Sequence, residues 1–282
     1  MSRTLFFIDY AEADGPFNMG LDQALFLSPP DRPVLRFYGW NPGTVSLGRF
    51  QVFDGDTQAL LGGVPVTRRT TGGGAIFHDT ELTYSLVGSL DALDLTRREQ
   101  AYERMHRAWI GAIMEVYGLG DGALCMASAA DAASSETFWC FMRRSPYDVV
   151  CEAGRFPVCA DDHVLRARSA VALNMKTPAT RKLLGSAQRS RAGLLLQHGS
   201  LAVGCSPIAP WAVGLREISG DVALTPARAA QQLKDAVAKS LGVRLEAWKP
   251  SREMIIQAKR IAERQFSARS WIEAARGARA KV

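Results

Sequence analysis

Two apolar periods alternate along the chain, and their order outlines a fold. "LFFID" reads as a short strand, and "FNMGLDQALFL" follows with helical spacing and Asn18 as a candidate cap. "PVLRFYGW" and "TVSLG" read as strands on either side of an Asn41-Pro42-Gly43 turn. "VPVTRR" is a strand entering the glycine run Gly72, Gly73, Gly74, and "ELTYSLV" a strand beyond it. In "RREQAYERMHRAWIGAIMEVYGLG" the period becomes helical, with Gly118 or Gly120 as the stop. "ADAASSE" (130–136) is small and polar, as loops are, and "SPYDVVCEAGR", "RKLLGSAQ" and "QHGSLAV" return to strand patterning. Residues 224–282 read as a helical C-terminal segment, one helix opened by Thr225-Pro226 and another by Ser251. The pattern predicts one α/β (α+β) domain over residues 1–282, with a mixed or antiparallel sheet flanked by helices. It contains no internal repeat and no long linker.

Composition narrows the function classes. Of 282 residues, 47% are hydrophobic and 22% charged, ordinary for a soluble globular protein. The net charge of +6 favours acidic partners, but no Lys/Arg run is interleaved with aromatics, so nucleic acid is not expected as a partner. The sequence has no stretch of 18 apolar residues, which predicts no membrane span. The apolar run at the N-terminus is too short, and too soon acidic, for a secretory signal. Cys125, Cys140, Cys151, Cys159 and Cys205 form an odd set without close pairs, which suggests neither a disulfide framework nor a zinc site. Reduced thiols in a cytoplasmic protein, with no metal, are the expectation; a monomer is the default.

Three stretches carry candidate chemistry. Gly72, Gly73 and Gly74 permit positive φ and open backbone N–H groups to a carbonyl or phosphate. The run lacks the Lys-Ser/Thr of a Walker loop, and the strand expected after it differs from a Rossmann fingerprint. A plain turn is the alternative, against which stand the flanking Arg68, Arg69, His78 and Asp79. In "RKLLGSAQRSRAGLLLQHGSL" (181–201), Lys182 begins an otherwise apolar strand. It either snorkels to solvent or aims its charge at a bound carbonyl oxygen. His198 in the same stretch is either a structural histidine or a base. Cys140, in "FWCFMRRSPYDVV", is either a buried inert thiol or a nucleophile favoured by nearby cations.

Taken in order, "FNMGLDQAL", "LRFYGWNPGTVSLGRFQ", "RRTTGGGAIFHDTELTYS", "CFMRRSPYDVV" and "KLLGSAQRSRAGLLLQHGSL" resemble the lipoate and biotin protein ligases and their octanoyltransferase relatives. Within that family the chain is most similar to the cysteine-dependent octanoyltransferases that load glycine-cleavage H protein. The resemblance implies a biotin/lipoate ligase-like catalytic fold. It also implies a route: octanoyl passes from acyl carrier protein to a cysteine and then to a lysine of a lipoyl domain. It puts the nucleophile on Cys140 and the acyl-contacting lysine on Lys182. The glycine loop falls on Gly72, Gly73 and Gly74 with Arg69, His78 and Asp79 about it, and "GSAQ" and "QHGS" add Gly185, Ser186 and His198. The glycines would let backbone lie against the acyl group. A thioester donor already stores the energy of the amide, so no cofactor is implied. An acceptor lysine near pKa 10.4 must lose a proton, and His78 and Asp79 are both candidates to take it.

Two features depart from the octanoyltransferase pattern. Extra sequence at 156–180 separates flanks that relatives join almost directly, and reads as a neutral loop or as a lid or docking element. "TGGGAIFHD" is equally similar to the ATP-dependent lipoate ligases, which keeps an AMP-forming ligase as the alternative enzyme. A non-catalytic paralogue that binds acyl or lipoyl carriers is the alternative of another class. A biotin ligase lacks support, since no "GRGRRGR"-type loop is present.

Overall fold

The computed structural model describes residues 3–128, 138–157, 179–206 and 212–274. Two expectations, the loop at 130–136 and nearly all of the insertion at 156–180, lie outside them. In chain order the elements are β1 (Arg3–Ala13), α1 (Gly15–Leu27), β2 (Val34–Trp40), β3 (Thr44–Leu47), α2 (Gly55–Leu60), β4 (Val66–Arg68), β5 (Ile76–His78), β6 (Glu81–Ser89) and α3 (Glu99–Val116). There follow β7 (Cys125–Met126), a 3₁₀ turn at Cys140–Met142, β8 (Val149–Glu152), β9 (Thr180–Arg191), β10 (Leu194–Ala202) and α4 (Leu215–Ser219). The chain ends in α5 (Pro226–Leu241), β11 (Val243–Ala247), α6 (Arg252–Ile261) and α7 (Arg269–Ile272).

The larger sheet is mixed, as expected, in the order β11-β1-β2-β6-β10-β9-β8-β7; β4-β3-β5 form a second, small sheet. β1 runs parallel to β2 and β11, whereas β2, β6, β10, β9 and β8 pair antiparallel. Strand alternation gives the two faces different chemistry. Leu35 and Phe37, Leu82, Tyr84 and Leu86, and Leu195 and Leu201 meet Trp109 of α3 and Leu233 and Val237 of α5 in the main core. On the opposite face, under α1 and α6, the register aligns Val34 with Val87, and these with Leu196 make an apolar patch with Leu21, Leu25 and Ala258. Two residues along, the same face turns polar: Arg36 stands opposite Ser85 and Ser85 opposite His198. Tyr38, Thr83 and Ser200 form the next row. A sheet that is apolar at one end of a face and polar at the other opens its cleft at the polar end.

Two expectations need correction. Asn18 does not cap α1. Asp14 does, its Oδ1 accepting from Phe17 N at 2.7 Å, because proline in the first turn fixes the helix start one residue beyond the aspartate. Asn18 is buried inside the helix and donates to the carbonyls of Ala13 and Gly39. Nor is the C-terminal segment purely helical, since β11 pairs in parallel with β1. Its caps are as predicted: Thr225 Oγ1 accepts from Arg228 N and Ser251 Oγ from Met254 N. Gly118, at φ +61, follows the end of α3.

Candidate active site

The 3₁₀ turn carries Cys140 to the edge of a cleft. The turn is fixed by two backbone bonds to the glycine loop: Ala75 N donates to Phe138 O, and Cys140 N donates to Ala75 O at 2.8 Å. A Cβ at Gly74 would sit 2.8 Å from Cys140 N and 3.0 Å from Phe138 O, so only glycine lets the two chains lie this close. Arg69 holds the same loop from the other side, donating to the carbonyls of Gly72 and Gly74 at 2.7 Å each. The glycines therefore serve the approach of the cysteine segment. Gly73 and Gly74 line the cleft; Gly72 does not.

Lys182 reaches the cleft from β9. Its Nζ lies 2.8 Å from Asp148 Oδ2, 3.5 Å from the Cys140 carbonyl oxygen and 3.8 Å from Cys140 Sγ. It does not snorkel, being only 1% exposed. Burial works against its charge, but the Asp148 carboxylate, and after it Cys140, outweigh burial and hold the ammonium above its ordinary value. Asp148 is itself oriented by Ser145 N at 2.7 Å. Gly185 makes this possible, because a Cβ there would stand 2.5 Å from Lys182 Cε and 2.6 Å from Nζ. The cluster sets the Cys140 sulfur beside a buried cation.

The remaining predicted residues divide. His78 lines the cleft, stacked on Trp40 at a centroid distance of 3.8 Å. Its Nε2 is 2.7 Å from Ser46 Oγ and its Nδ1 is 2.5 Å from Glu81 Oε1. Asp79 is not in this cleft; it lines a neighbouring cavity and accepts from its own neighbour, Thr80 N, at 2.6 Å. Its side chain is exposed, yet desolvation by the surrounding chain raises its carboxyl above the ordinary value. His198 and Ser186 line the cleft but are already engaged. His198 Nε2 meets Thr71 Oγ1 at 2.6 Å, its Nδ1 faces Asp22 at 3.5 Å, and burial keeps the ring below its ordinary value. Ser186 sits in a one-way chain: Gln197 donates to Tyr84, Tyr84 OH to Ser186, Ser186 to His106 Nε2, and His106 Nδ1 to the Tyr147 carbonyl. Burial presses His106 down to about 4, so it is neutral. Arg68, flanking the loop, is structural: it holds the carbonyls of Gly48, Gln51 and Ile272.

Sequence reading had not nominated Asp148, Ser46 or Glu81. Asp148 lies eight residues after Cys140 and directly before β8, the one signal the sequence offers. Among the described residues no group of three His, Cys, Asp or Glu side chains is placed to hold a metal, and no helix is long and apolar enough to cross a membrane.

Residues 14–215 match the family described as the lipoyl protein ligase A/B catalytic domain. The chain belongs to that family. It is 31% identical to octanoyltransferase LipM of Moorella thermoacetica over 70% of this chain and 64% of that protein. With LipM of Symbiobacterium thermophilum it shares 34% over 69% of this chain and 63% of the relative. The chain thus spans just under two thirds of the length of these relatives, whereas with LipM of Lysinibacillus sphaericus it aligns at 25% over 95% and 98%. Among solved structures, lipoate-protein ligase A bound with ATP superposes with a TM-score of 0.68 at 19% identity, covering 98% of this chain and 100% of the other. The bi-partite lipoate protein ligase of Thermoplasma acidophilum gives 0.64 at 20%, covering 97% and 96%. The lipoyl ligase A/B architecture predicted for the chain is therefore the one it has.

Proposed function

We propose that the protein is an octanoyltransferase of lipoate biosynthesis that works through a thioester on Cys140. The observation that carries the reading is Cys140 Sγ 3.8 Å from a Lys182 ammonium fixed by Asp148, in a cleft of the ligase fold. The LipM relatives support the choice of acyl group. A ligase that activates its acid with ATP has no need of a cysteine at this point. In the first half-reaction the Cys140 thiolate attacks the thioester carbonyl of octanoyl-carrier protein. The C–S bond to the carrier arm breaks, and the arm leaves as its thiolate, which solvent protonates. In the second, the ε-amine of a lysine on a lipoyl-domain protein such as glycine-cleavage H protein takes the acyl group and frees the sulfur. Because Lys182 is held protonated, it stabilises negative charge on sulfur or on the carbonyl oxygen. Met19, Tyr38, Trp40 and Ile76 line the cleft and provide its apolar wall. Burying seven methylene-like carbons contributes roughly 5 kcal/mol at about 0.8 kcal/mol each. Arg69, Gly73, Gly74 and Gly185 shape the cleft around the reacting centre, and the basic net charge of +6 suits acidic carriers.

The test is intact-mass spectrometry after mixing the protein with octanoyl-carrier protein, without ATP or magnesium. The expected result is one octanoyl adduct, removed by hydroxylamine and absent in Cys140→Ser. Transfer from free octanoate that requires ATP, with Cys140→Ser fully active, would identify a ligase instead.

A further inference from the structure

The cysteine cluster makes a nucleophile but offers no base for the second half-reaction. Lys182 is already an ammonium, and Asp148 is its counter-ion, with Oδ2 shared between Lys182 Nζ and Ser145 N. An incoming amine must still lose a proton as it forms the amide. A second polar system on the cleft has the right parts. Ser46 of β3 lines the cleft, with its Oγ 2.7 Å from His78 Nε2. His78 of β5 has its other nitrogen 2.5 Å from the Glu81 carboxylate of β6.

The hydrogen positions follow from the partners. A carboxylate only accepts, so Nδ1 carries a proton, and in the neutral imidazole Nε2 is the acceptor for the Ser46 hydroxyl. Arg69 Nη1 donates to Ser46 Oγ at 3.1 Å and to the Ser46 carbonyl at 2.9 Å. That leaves one lone pair of Oγ for a donor in the cleft. The imidazole cannot swing away, because Trp40 stacks on it within 13° of parallel. Glu81 is held in turn by the Thr83 hydroxyl, which Trp40 Nε1 fixes at 2.8 Å. Three strands and one stacked ring thus pre-set a hydroxyl–imidazole–carboxylate line, the arrangement that lets a hydroxyl exchange its proton in place.

We infer that Ser46 takes the proton from the attacking acceptor amine and passes its own to His78, with Glu81 balancing the imidazolium. This deepens the transferase reading and rests on it. In the step, the neutral amine nitrogen bonds to the thioester carbon, and the C–S bond to Cys140 breaks. Sulfur leaves as a thiolate against the Lys182 ammonium. The nitrogen gives one proton to Ser46 Oγ while the Ser46 proton moves to His78 Nε2, and solvent later removes it from the imidazolium. Ser46 is then a catalytic residue; His78 and Glu81 act through it.

The experiment separates the two half-reactions. Octanoyl-N-acetylcysteamine loads Cys140, read as intact mass. Discharge of the purified acyl-enzyme to Nα-acetyl-lysine amide is then followed by chromatography. Ser46→Ala and Glu81→Gln should load within about threefold of the parent but discharge 10²–10⁴-fold more slowly, the range expected for loss of a general base. Hydroxylamine, which is neutral at pH 7 and attacks without such help, should discharge parent and variants alike. Loading and discharge slowed equally, or hydroxylamine discharge slowed as well, would mean a structural role and overturn the relay. Unimpaired discharge to lysine in both variants would also overturn it. If the parent itself forms no adduct on Cys140, the transferase reading falls first.

Discussion

Asp22 with Arg36 and Asp148 with Lys182 are both carboxylate–cation pairs, buried to the same depth: 1% and 4% exposed in the first, 4% and 1% in the second. Their surroundings differ. Asp22 Oδ1 accepts from Arg36 at 3.0 Å and Ser85 at 2.8 Å, Oδ2 accepts from Tyr38 at 2.9 Å, and His198 faces it. Arg36 also reaches the Asn18 carbonyl and side chain. Burial pushes the Asp22 carboxyl up, yet His198 and Arg36 outweigh it and leave it below its ordinary value. Lys182, by contrast, has one short partner, and its two contacts to Cys140 are long, at 3.5 and 3.8 Å. A saturated pair holds the sheet to α1. An under-partnered pair keeps spare charge for a ligand. Burial depth alone does not tell the two apart; the count of satisfied lone pairs and N–H groups does.

The largest break in that comparison comes from removing both charges of the open pair. Lys182→Met with Asp148→Asn leaves no orphaned ion, and the amide that replaces the carboxylate keeps an oxygen for Ser145 N. Loss of a buried charge at a reacting centre is worth about 10²–10³-fold. Adduct formation on Cys140 should fall by at least that, while the thermal midpoint stays within a few degrees. A double variant that unfolds would mean the open pair is structural after all. The saturated pair should behave oppositely. Arg36→Met strands Asp22 and should cost about 3–5 kcal/mol in urea unfolding. Cys140 alkylation by iodoacetamide in the folded fraction should be unchanged.

His106 supplies a smaller effect with a defined sign. In the fold burial holds it near 4, against about 6.5 in an unfolded chain. The unfolded state therefore binds the extra proton between these values. Its contribution to stability is complete above about pH 6.5 and is lost as pH falls toward 4, by about 3 kcal/mol. The measurement is urea unfolding of the parent and His106→Gln at several pH values. Their difference should shrink by that amount on acidification, and a constant difference would count against a neutral His106 at the end of the Tyr84–Ser186 chain.

These contrasts also show what the sequence could disclose. Local signals survived folding. Thr225-Pro226 and Ser251 start their helices because a cap needs only the next three residues. The ordered motifs placed Cys140, Lys182 and His78 on one cleft. What failed depends on distance in the chain. β11 is a five-residue edge strand, half exposed, whose Val-Arg-Leu-Glu-Ala alternation is too short to stand out after a sixteen-residue helix and whose partner lies at the other terminus. Asp148 gains meaning only when Gly185 leaves room for the Lys182 head. Ser46, His78 and Glu81 sit on three different strands. Asp79 flanks the glycine run in sequence, but β5 ends at His78 and the bend that follows turns Asp79 to a neighbouring cavity. The glycine run was legible as a close approach, but the chain that approaches is the cysteine turn.

The finest probe is a single hydroxyl. Ser85 Oγ donates to Asp22 Oδ1 at 2.8 Å, and the same oxygen already receives Arg36 at 3.0 Å. If saturation is what makes this pair structural, it is also redundant, and Ser85→Ala removes one of several donors without stranding a charge. A hydrogen bond to a charged group contributes about 1.5–3 kcal/mol, and with Arg36, Tyr38 and His198 still in place the cost should fall near the lower figure. Urea unfolding of Ser85→Ala should therefore show a loss of about 1.5 kcal/mol, with loading and discharge of Cys140 unaltered. A loss as large as that of Arg36→Met would mean that the network acts as one unit. Saturation there would then measure cooperativity, and the contrast with Lys182 would rest on charge exposure to the cleft.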